Sequence, residues 1–153
     1  MKLYVIRHGN TDSNRLDIYN GKLLNEDINN IGIKQAQEAS KKIKNLNLDL
    51  IICSPLLRTR HTCDIINSNK IKVIYDDRIE ERNCGVLTNT KIDNFYYTEY
   101  WNYYSKVKID NLETVPELFK RVNLFLDEIK KKYRGKNILL VTHGGVARAI
   151  HFY

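Results

Sequence analysis

Residues 3–14 read LYVIRHGNTDSN, a short apolar run followed at once by an arginine and a histidine. The first four residues, Leu3–Ile6, show no polar alternation, which is typical of a strand covered on both faces. Three further runs have the same character, and they are Leu50–Cys53, Ile71–Tyr75 and Ile138–Thr142. The sequence therefore predicts four buried strands.

Helical patterns lie between these runs. Apolar residues recur at spacings of three and four over residues 32–46. A serine before a proline predicts a helix from Ser54 to about Asn67, and residues 114–117 form a capping box that starts another. A last helix begins at Gly144. Strands that alternate with helices predict an α/β fold, here a three-layer α/β/α sandwich with a mainly parallel sheet and a single domain over residues 1–153.

Composition narrows the class of protein and its environment. The 153 residues carry 25 Lys and Arg against 18 Asp and Glu, a net charge of +7 that favours anionic partners. Three cysteines, an odd number without Cys-x-x-Cys spacing, indicate a reduced protein without a zinc site. The lysines are scattered and no RNA-binding aromatic signature accompanies them, so no nucleic acid is expected. No apolar stretch reaches 18 residues and no signal segment is evident, which predicts a cytoplasmic location and no membrane partner. The sequence does not indicate an oligomeric state.

Reactive side chains follow every predicted strand. Arg7 and His8 follow the first, Arg58 lies just beyond the second, acidic residues 76–81 follow the third, and His143 follows the fourth. Ligands of open α/β sheets bind at the carboxyl ends of the strands, so these groups are predicted to share one rim.

Phosphoryl transfer through a histidine is the chemistry that uses this set. A neutral imidazole attacks phosphorus, and arginine guanidinium groups match the phosphate oxygens. Helix N-termini, predicted after Ser54 and at Gly144, add N–H donors, and a carboxylic acid protonates the leaving oxygen. Because the arginines supply the positive charge, we expect no metal and no cofactor.

Five segments together resemble the histidine phosphatase superfamily, whose best-known branch is the cofactor-dependent phosphoglycerate mutases. They are RHGxTxxN within residues 7–14, GxxQA at 32–36, SPLLRxxxT at 54–62, EExxxG at 80–85 and THGG at 142–145. Any one of these motifs is weak, but five in order along nearly the whole chain are specific.

The resemblance implies a role for each matching residue. It makes His8 the phosphorylated nucleophile, Glu81 the proton donor, His143 the second histidine that stabilises the phosphoryl group, and Arg7, Asn14 and Arg58 the phosphate ligands. Asp77 and Glu80 are acidic rivals of Glu81. The tyrosine-rich stretch at residues 93–106 is predicted to be partly helical and to serve packing, with a lid over the site as the alternative.

The sequence departs from the family pattern at three places. Residues 86–89 lack the aromatic residue and second glycine that relatives often carry after the proton donor. Residues 112–114 replace a Gly-Glu-Ser segment, so the substrate stays open. Relatives also continue beyond the second histidine, whereas this chain stops at Tyr153, which predicts either a naturally short protein or a trimmed fragment.

Three functions fit these observations. The first is a phosphatase acting on a small phosphorylated metabolite, favoured because only about thirty residues separate Glu81 from Glu113, where mutases are longer. The second is a phosphoglycerate mutase, which the segment at residues 81–87 also resembles. The third is a non-catalytic module that binds anions.

Overall fold

The computed structural model describes the backbone of residues 1–153 and every side chain except those of residues 94–96. Its strands are β1 (Lys2–Arg7), β2 (Leu50–Cys53), β3 (Val73–Tyr75) and β4 (Asn137–Thr142). Its α-helices are α1 (Asp12–Arg15), α2 (Asn30–Ile43), α3 (Leu57–Ile66), α4 (Asn94–Trp101), α5 (Val115–Lys132) and α6 (Gly144–His151).

The four strands form one parallel sheet in the order β1-β4-β2-β3. The predicted α/β class and parallel sheet are thereby confirmed. The third strand is two residues shorter than predicted at its start. Ile71 exchanges both backbone hydrogen bonds with the Asn67 side chain, so it turns the chain into β3 instead of joining the ladder.

Alternate residues of the central strand β4 enter two separate cores. Ile138 and Leu140 pack under α5 and α6, whereas Leu139 and Val141 pack under α2 and α3. All four are fully buried, as expected for a parallel strand covered on both faces. These two cores make the helices the outer layers and the sheet the middle layer of the sandwich.

The N-termini of two helices can be compared with the predicted N-caps. Thr114 caps α5, and its reciprocal bonds with Glu117 confirm the capping box. The predicted start at Ser54 was wrong, because α3 begins only at Leu57 and its N-cap, Leu56, has no side-chain cap bond. Ser54 Oγ accepts a hydrogen bond from the Leu56 N–H ahead of the helix and also lies 2.8 Å from His143 Nε2. The backbone N–H of Leu57 donates to Asn25 Oδ1 at 2.7 Å, so this donor of the first turn is already satisfied within the chain.

The tyrosine-rich stretch contains the short helix α4, whose residues Tyr97, Tyr100 and Trp101 line one pocket together with Arg7 and His8 from the end of β1. Its predicted partial helicity is confirmed, although the side chains at 94–96 lie outside the described residues. No helix of the described chain combines the length and apolarity needed to cross a membrane.

Candidate active site

A pocket of about 460 Å³ opens at the carboxyl ends of the strands. Its wall contains the predicted site residues Arg7, His8, Asn14, Arg58 and Glu81. His143 does not reach the wall; it is fully buried, with its ring centroid 5.1 Å from that of His8. The topology therefore brings together residues that lie up to 136 positions apart in the sequence.

His8 lies at the end of β1 with a fixed tautomer. Its Nδ1 lies 2.7 Å from the carbonyl oxygen of Gly9. Because a carbonyl only accepts hydrogen bonds, Nδ1 carries the proton of the neutral ring and Nε2 keeps its lone pair. The backbone N–H of His8 donates to the Thr142 carbonyl on β4, which anchors the residue to the sheet. His8 thus presents an unprotonated ring nitrogen from a rigid position.

The surroundings of His8 favour the neutral ring. Burial lowers the pKa of His8 from 6.5 to about 3, and the charges of Arg58 and Arg7 act in the same direction. The hydrogen bond to Gly9 acts in the opposite direction but does not outweigh them. Near neutral pH the imidazole is therefore in the form that can attack an electrophile.

Arg58 is a fully buried guanidinium at the base of the pocket. Its two terminal nitrogens donate to the carbonyl oxygens of Leu24 and Gly21, at 2.9 and 2.7 Å. Its Nε has no partner among the described residues. Burial lowers the pKa of Arg58, but a guanidinium stays charged in proteins. Neutral carbonyls hold the guanidinium in place, and it forms no ion pair within the described residues, although the charges of Glu81 and Glu26 act on it.

Arg7 and Asn14 complete the basic side of the pocket. Arg7 is exposed at the end of β1 and lies beside the start of α6, where a Cβ added to Gly144 would sit 3.7 Å from its Nε. Asn14 forms a capping box with Thr11, and this uses its side-chain oxygen as an acceptor. The amide nitrogen of Asn14 takes no part in this capping box.

Glu81 is held at the N-terminus of α6. Both of its carboxylate oxygens accept from the backbone N–H of Gly145, at 3.1 and 3.2 Å. A Cβ at Gly145 would collide with Oε1, so only glycine permits this contact. Of the three acidic candidates, Glu81 alone lines the pocket: Asp77 is exposed on a turn, and Glu80 pairs with Lys22 at 3.9 Å.

His143 lies behind His8 at the end of β4. Its Nε2 lies 2.8 Å from Ser54 Oγ, and its Nδ1 is buried without a partner among the described residues. Burial, and next the charge of Arg58, hold the pKa of His143 well below its ordinary value. A neutral ring with one unused nitrogen is therefore packed against the proposed nucleophile.

Two contacts that sequence reasoning missed fix the turn after β1. The N–H of Gly9 donates to Thr62 Oγ1 at 3.0 Å, and Thr62 Oγ1 donates to the Arg58 carbonyl at 2.7 Å. A Cβ at Gly9 would lie 2.5 Å from the Gly32 carbonyl oxygen of α2. The motif residues Gly32 and Thr62 therefore shape the loop that carries His8 instead of touching a ligand.

The far wall of the pocket contains Tyr100, Trp101 and Arg148. The two aromatic residues belong to the stretch for which a lid is the predicted alternative, whereas Arg148 was missed. We call the set Arg82, Tyr100, Trp101 and Arg148 the aromatic roof, in which all but Arg82 line the pocket. We call the set His8, Ser54, Arg58 and His143 the phosphate floor, in which His8 and Arg58 line the pocket. Arg82 is buried, donates to the carbonyls of Tyr100 and Glu113, and lies over the Tyr100 ring at 4.0 Å. The available signals were the lone tryptophan and an arginine one helical turn after Gly144.

The acid and imidazole groups of the described chain form no further cluster. Nowhere in it do three or more His, Cys, Asp or Glu side chains lie where they could hold a metal ion. The charged and imidazole groups that line the pocket are instead His8, three arginines (Arg7, Arg58 and Arg148) and two carboxylates (Glu81 and Asp17).

A parallel α/β sheet with a basic, histidine-bearing pocket at its carboxyl edge is characteristic of enzymes that act on phosphate esters. The family model of the histidine phosphatase superfamily, branch 1, matches residues 3–153, and the chain belongs to that superfamily.

Named relatives agree with this membership. Phosphoserine phosphatase 1 of Hydrogenobacter thermophilus is 29% identical over 99% of this chain and 74% of its own length. A protein of Yersinia pestis named "Probable phosphoglycerate mutase GpmB" is 32% identical over 94% of this chain and 70% of its own length. The crystal structure of a phosphoserine phosphatase from Entamoeba histolytica in complex with 3-phosphoglyceric acid gives a TM-score of 0.84 at 25% identity, covering 98% of this chain and 77% of that one. The predicted resemblance is confirmed, and these relatives support a phosphatase or mutase activity.

Proposed function

We propose that this chain is a metal-independent phosphatase that hydrolyses a small phosphomonoester through a phosphohistidine on His8. The observation that carries the proposal is the bond from Nδ1 of His8 to the Gly9 carbonyl, because it leaves Nε2 unprotonated toward the pocket. The proposed enzyme is a single domain over residues 1–153.

In the first step Nε2 of His8 attacks phosphorus, so that the N–P bond forms while the bond from phosphorus to the ester oxygen breaks. The departing alkoxide takes a proton from Glu81, which must therefore be protonated at this point. Arg7, Arg58 and the Asn14 amide stabilise the charge on the three phosphoryl oxygens. The unpartnered Nδ1 of His143 is the nitrogen assigned to the same phosphoryl group.

In the second step water attacks the phosphohistidine and gives its proton to the Glu81 carboxylate. The N–P bond breaks, inorganic phosphate leaves, and both side chains return to their starting forms. The Glu81 carboxylate is held by the Gly145 N–H in the position that this exchange requires.

A steady-state assay tests the proposal. The full chain should release phosphate from p-nitrophenyl phosphate with EDTA present, and acid-labile label from a ³²P-phosphomonoester should map to His8. Phosphate release that disappears with EDTA, or label on another residue, would contradict it.

A mutase is the second candidate, supported by the relative named as a phosphoglycerate mutase. A mutase passes the phosphoryl group to a second hydroxyl instead of water. Incubation with 3-phosphoglycerate separates the two: a mutase yields 2-phosphoglycerate without free phosphate, and the proposed phosphatase yields glycerate and phosphate.

We also place the protein in the cytoplasm. The three cysteines are all free and buried, which fits a reducing compartment. Fractionation of cells that express a tagged chain tests this, and recovery of the tag outside the cytoplasmic fraction would contradict it.

A further inference from the structure

Arg148 lines the pocket, but the proposed reaction does not use it. It projects from α6, and its guanidinium carbon lies 4.1 Å from the centroid of the Trp101 ring. Within the described part of the chain it forms no ion pair and no side-chain hydrogen bond. Stacking on a ring fixes the plane of a guanidinium and leaves its N–H edge free for a bidentate partner.

The contacts around Arg148 place it on the leaving-group side of the pocket. The edge of the Trp101 ring lies 3.3 Å from where a Cβ on Gly145 would be. Gly145 in turn holds Glu81, the proposed proton donor to the ester oxygen. Arg148 follows Gly144 by four residues, about one helical turn or 5.4 Å. It therefore faces the alcohol part of a substrate, while Arg58 and His8 face the phosphoryl group.

The charges of the wall indicate what kind of group Arg148 receives. A phosphoryl dianion is matched by the two cations Arg7 and Arg58. One guanidinium is then left over, and a single positive charge with a forked edge matches a single carboxylate. A second phosphate dianion would call for two more cations, and the described wall residues offer only this one.

Resting on the proposed function, we propose that Arg148, held flat by Trp101, binds a carboxylate on the alcohol part of the substrate and so selects phosphorylated small carboxylic acids. Arg148 is then a specificity-determining residue. The reaction that supplies such a substrate is one that phosphorylates a hydroxy acid or forms a phosphorylated acid by oxidation.

Two pairs of compounds test this, because the members of each pair differ in the carboxylate alone. The first pair is O-phosphoserine and O-phosphoethanolamine, and the second is 3-phosphoglycerate and glycerol 3-phosphate. We expect the wild type to favour the carboxylate in each pair by about 10- to 100-fold in kcat/KM, the scale of a charge-assisted hydrogen-bonded pair. Arg148→Met should bring both ratios to near one, and Arg148→Lys should restore part of the preference.

Arg60→Met is the matched control, since Arg60 also lies over a ring, that of Tyr75 at 5.5 Å, but does not line the pocket. It should keep the wild-type ratios. Equal rates on both members of each pair would overturn the carboxylate subsite while leaving the phosphatase intact. If the preference for the carboxylate survives in Arg148→Met, another residue binds the carboxylate. If the wild type prefers fructose 1,6-bisphosphate over fructose 6-phosphate and Arg148→Met loses that preference, Arg148 binds a second phosphate and not a carboxylate.

Binding decides the inference independently of turnover. Calorimetry with His8→Ala should give the same 10- to 100-fold ratio in Kd for each pair, and loss of that ratio on adding Arg148→Met. If the wild type hydrolyses none of the four compounds nor p-nitrophenyl phosphate, the proposed function fails, yet these Kd ratios still confirm or overturn the subsite.

Discussion

The phosphate floor and the aromatic roof enclose the same pocket but are held in place by different means. Three floor residues, His8, Ser54 and His143, directly follow strands that are held in a parallel ladder, and Arg58 lies in the first turn of α3. The roof depends on Arg82, which bonds the Tyr100 and Glu113 carbonyls from 18 and 31 residues away. The floor is thus positioned mainly by the sheet, whereas the roof depends on one buried cation that joins residues far apart in the chain.

The buried guanidinium groups of the two regions also differ in how fully they are surrounded by partners. On the floor, Arg58 has an unpartnered Nε and both histidines are neutral, so this region has an unused donor on a cation that an anion can accept from. In the roof, the Arg82 guanidinium is covered by carbonyls and two aromatic rings. Floor variants should therefore act on turnover, and roof variants on substrate choice and packing.

The largest effect is expected for His8→Ala. Loss of the nucleophile should lower kcat to background, on the order of 10⁶-fold, because His8 carries the only imidazole among the described residues that line the pocket. The measurement is p-nitrophenyl phosphate hydrolysis together with ³²P labelling of the chain. His151→Ala is the control, since His151 is exposed on the last turn of α6 and does not line the pocket. If His8→Ala is still labelled with ³²P, His8 is not the phosphorylated residue, and the proposed role of the floor in turnover is wrong.

A smaller loss is expected for Arg7→Ala. Removing one preorganised group that stabilises transition-state charge should cost about 10²–10³ in kcat. Arg7 is exposed and makes no ion pair among the described residues, so the fold should be spared, unlike in Arg58→Ala, which would strip donors from two carbonyls. An unchanged unfolding midpoint checks the fold. A kcat/KM near that of wild type would remove Arg7 from the phosphate ligands.

The floor could be predicted from the sequence for a physical reason. Strand-end residues are specified locally, since a buried apolar run stops where Arg7 or His143 begins. Parallel pairing then brings those ends to one edge whatever the intervening loops do. The role of Ser54 was predicted only in part: its Oγ accepts from the nearby Leu56 N–H, but it also bonds His143, a residue 89 positions away that no local pattern reveals.

The roof could not be predicted in the same way. Its contacts join residues of α4, α6 and the loop after β3, and their spacing follows no helix or strand period. Tyr100 and Trp101 pack in the core and also line the pocket, so the predicted choice between packing and lid was too sharp. Arg82 looked like an ordinary charged residue but is 1% exposed.

Glu81→Gln is expected to affect two substrates to different extents. Glu81 lies between the floor and the roof. An alkyl leaving group needs its proton, so hydrolysis of glycerol 3-phosphate should slow by about 10²-fold. The p-nitrophenolate group leaves without that help, so its loss should stay below about tenfold. Equal losses on both substrates would take the acid role from Glu81, and Glu80→Gln is the variant to compare.

The smallest effect is a pH dependence of stability that belongs to the floor alone. The pKa of His8 is about 3 in the folded chain and 6.5 in the unfolded chain, so between these values the unfolded chain binds more protons. The free energy of unfolding should therefore be fully present above pH 6.5 and fall as the pH is lowered toward 3, by about 2 kcal/mol at pH 5 from His8. The pKa of His143 is also lowered, so its protonation reduces the free energy of unfolding in the same direction.

Urea unfolding at pH 7.5 and pH 5 measures this change in the free energy of unfolding, and His8→Asn should reduce the difference between the two pH values. Tyr100→Phe should keep it, because burial raises the pKa of that roof phenol far from this range. A difference that His8→Asn leaves intact would place the acid sensitivity outside the floor.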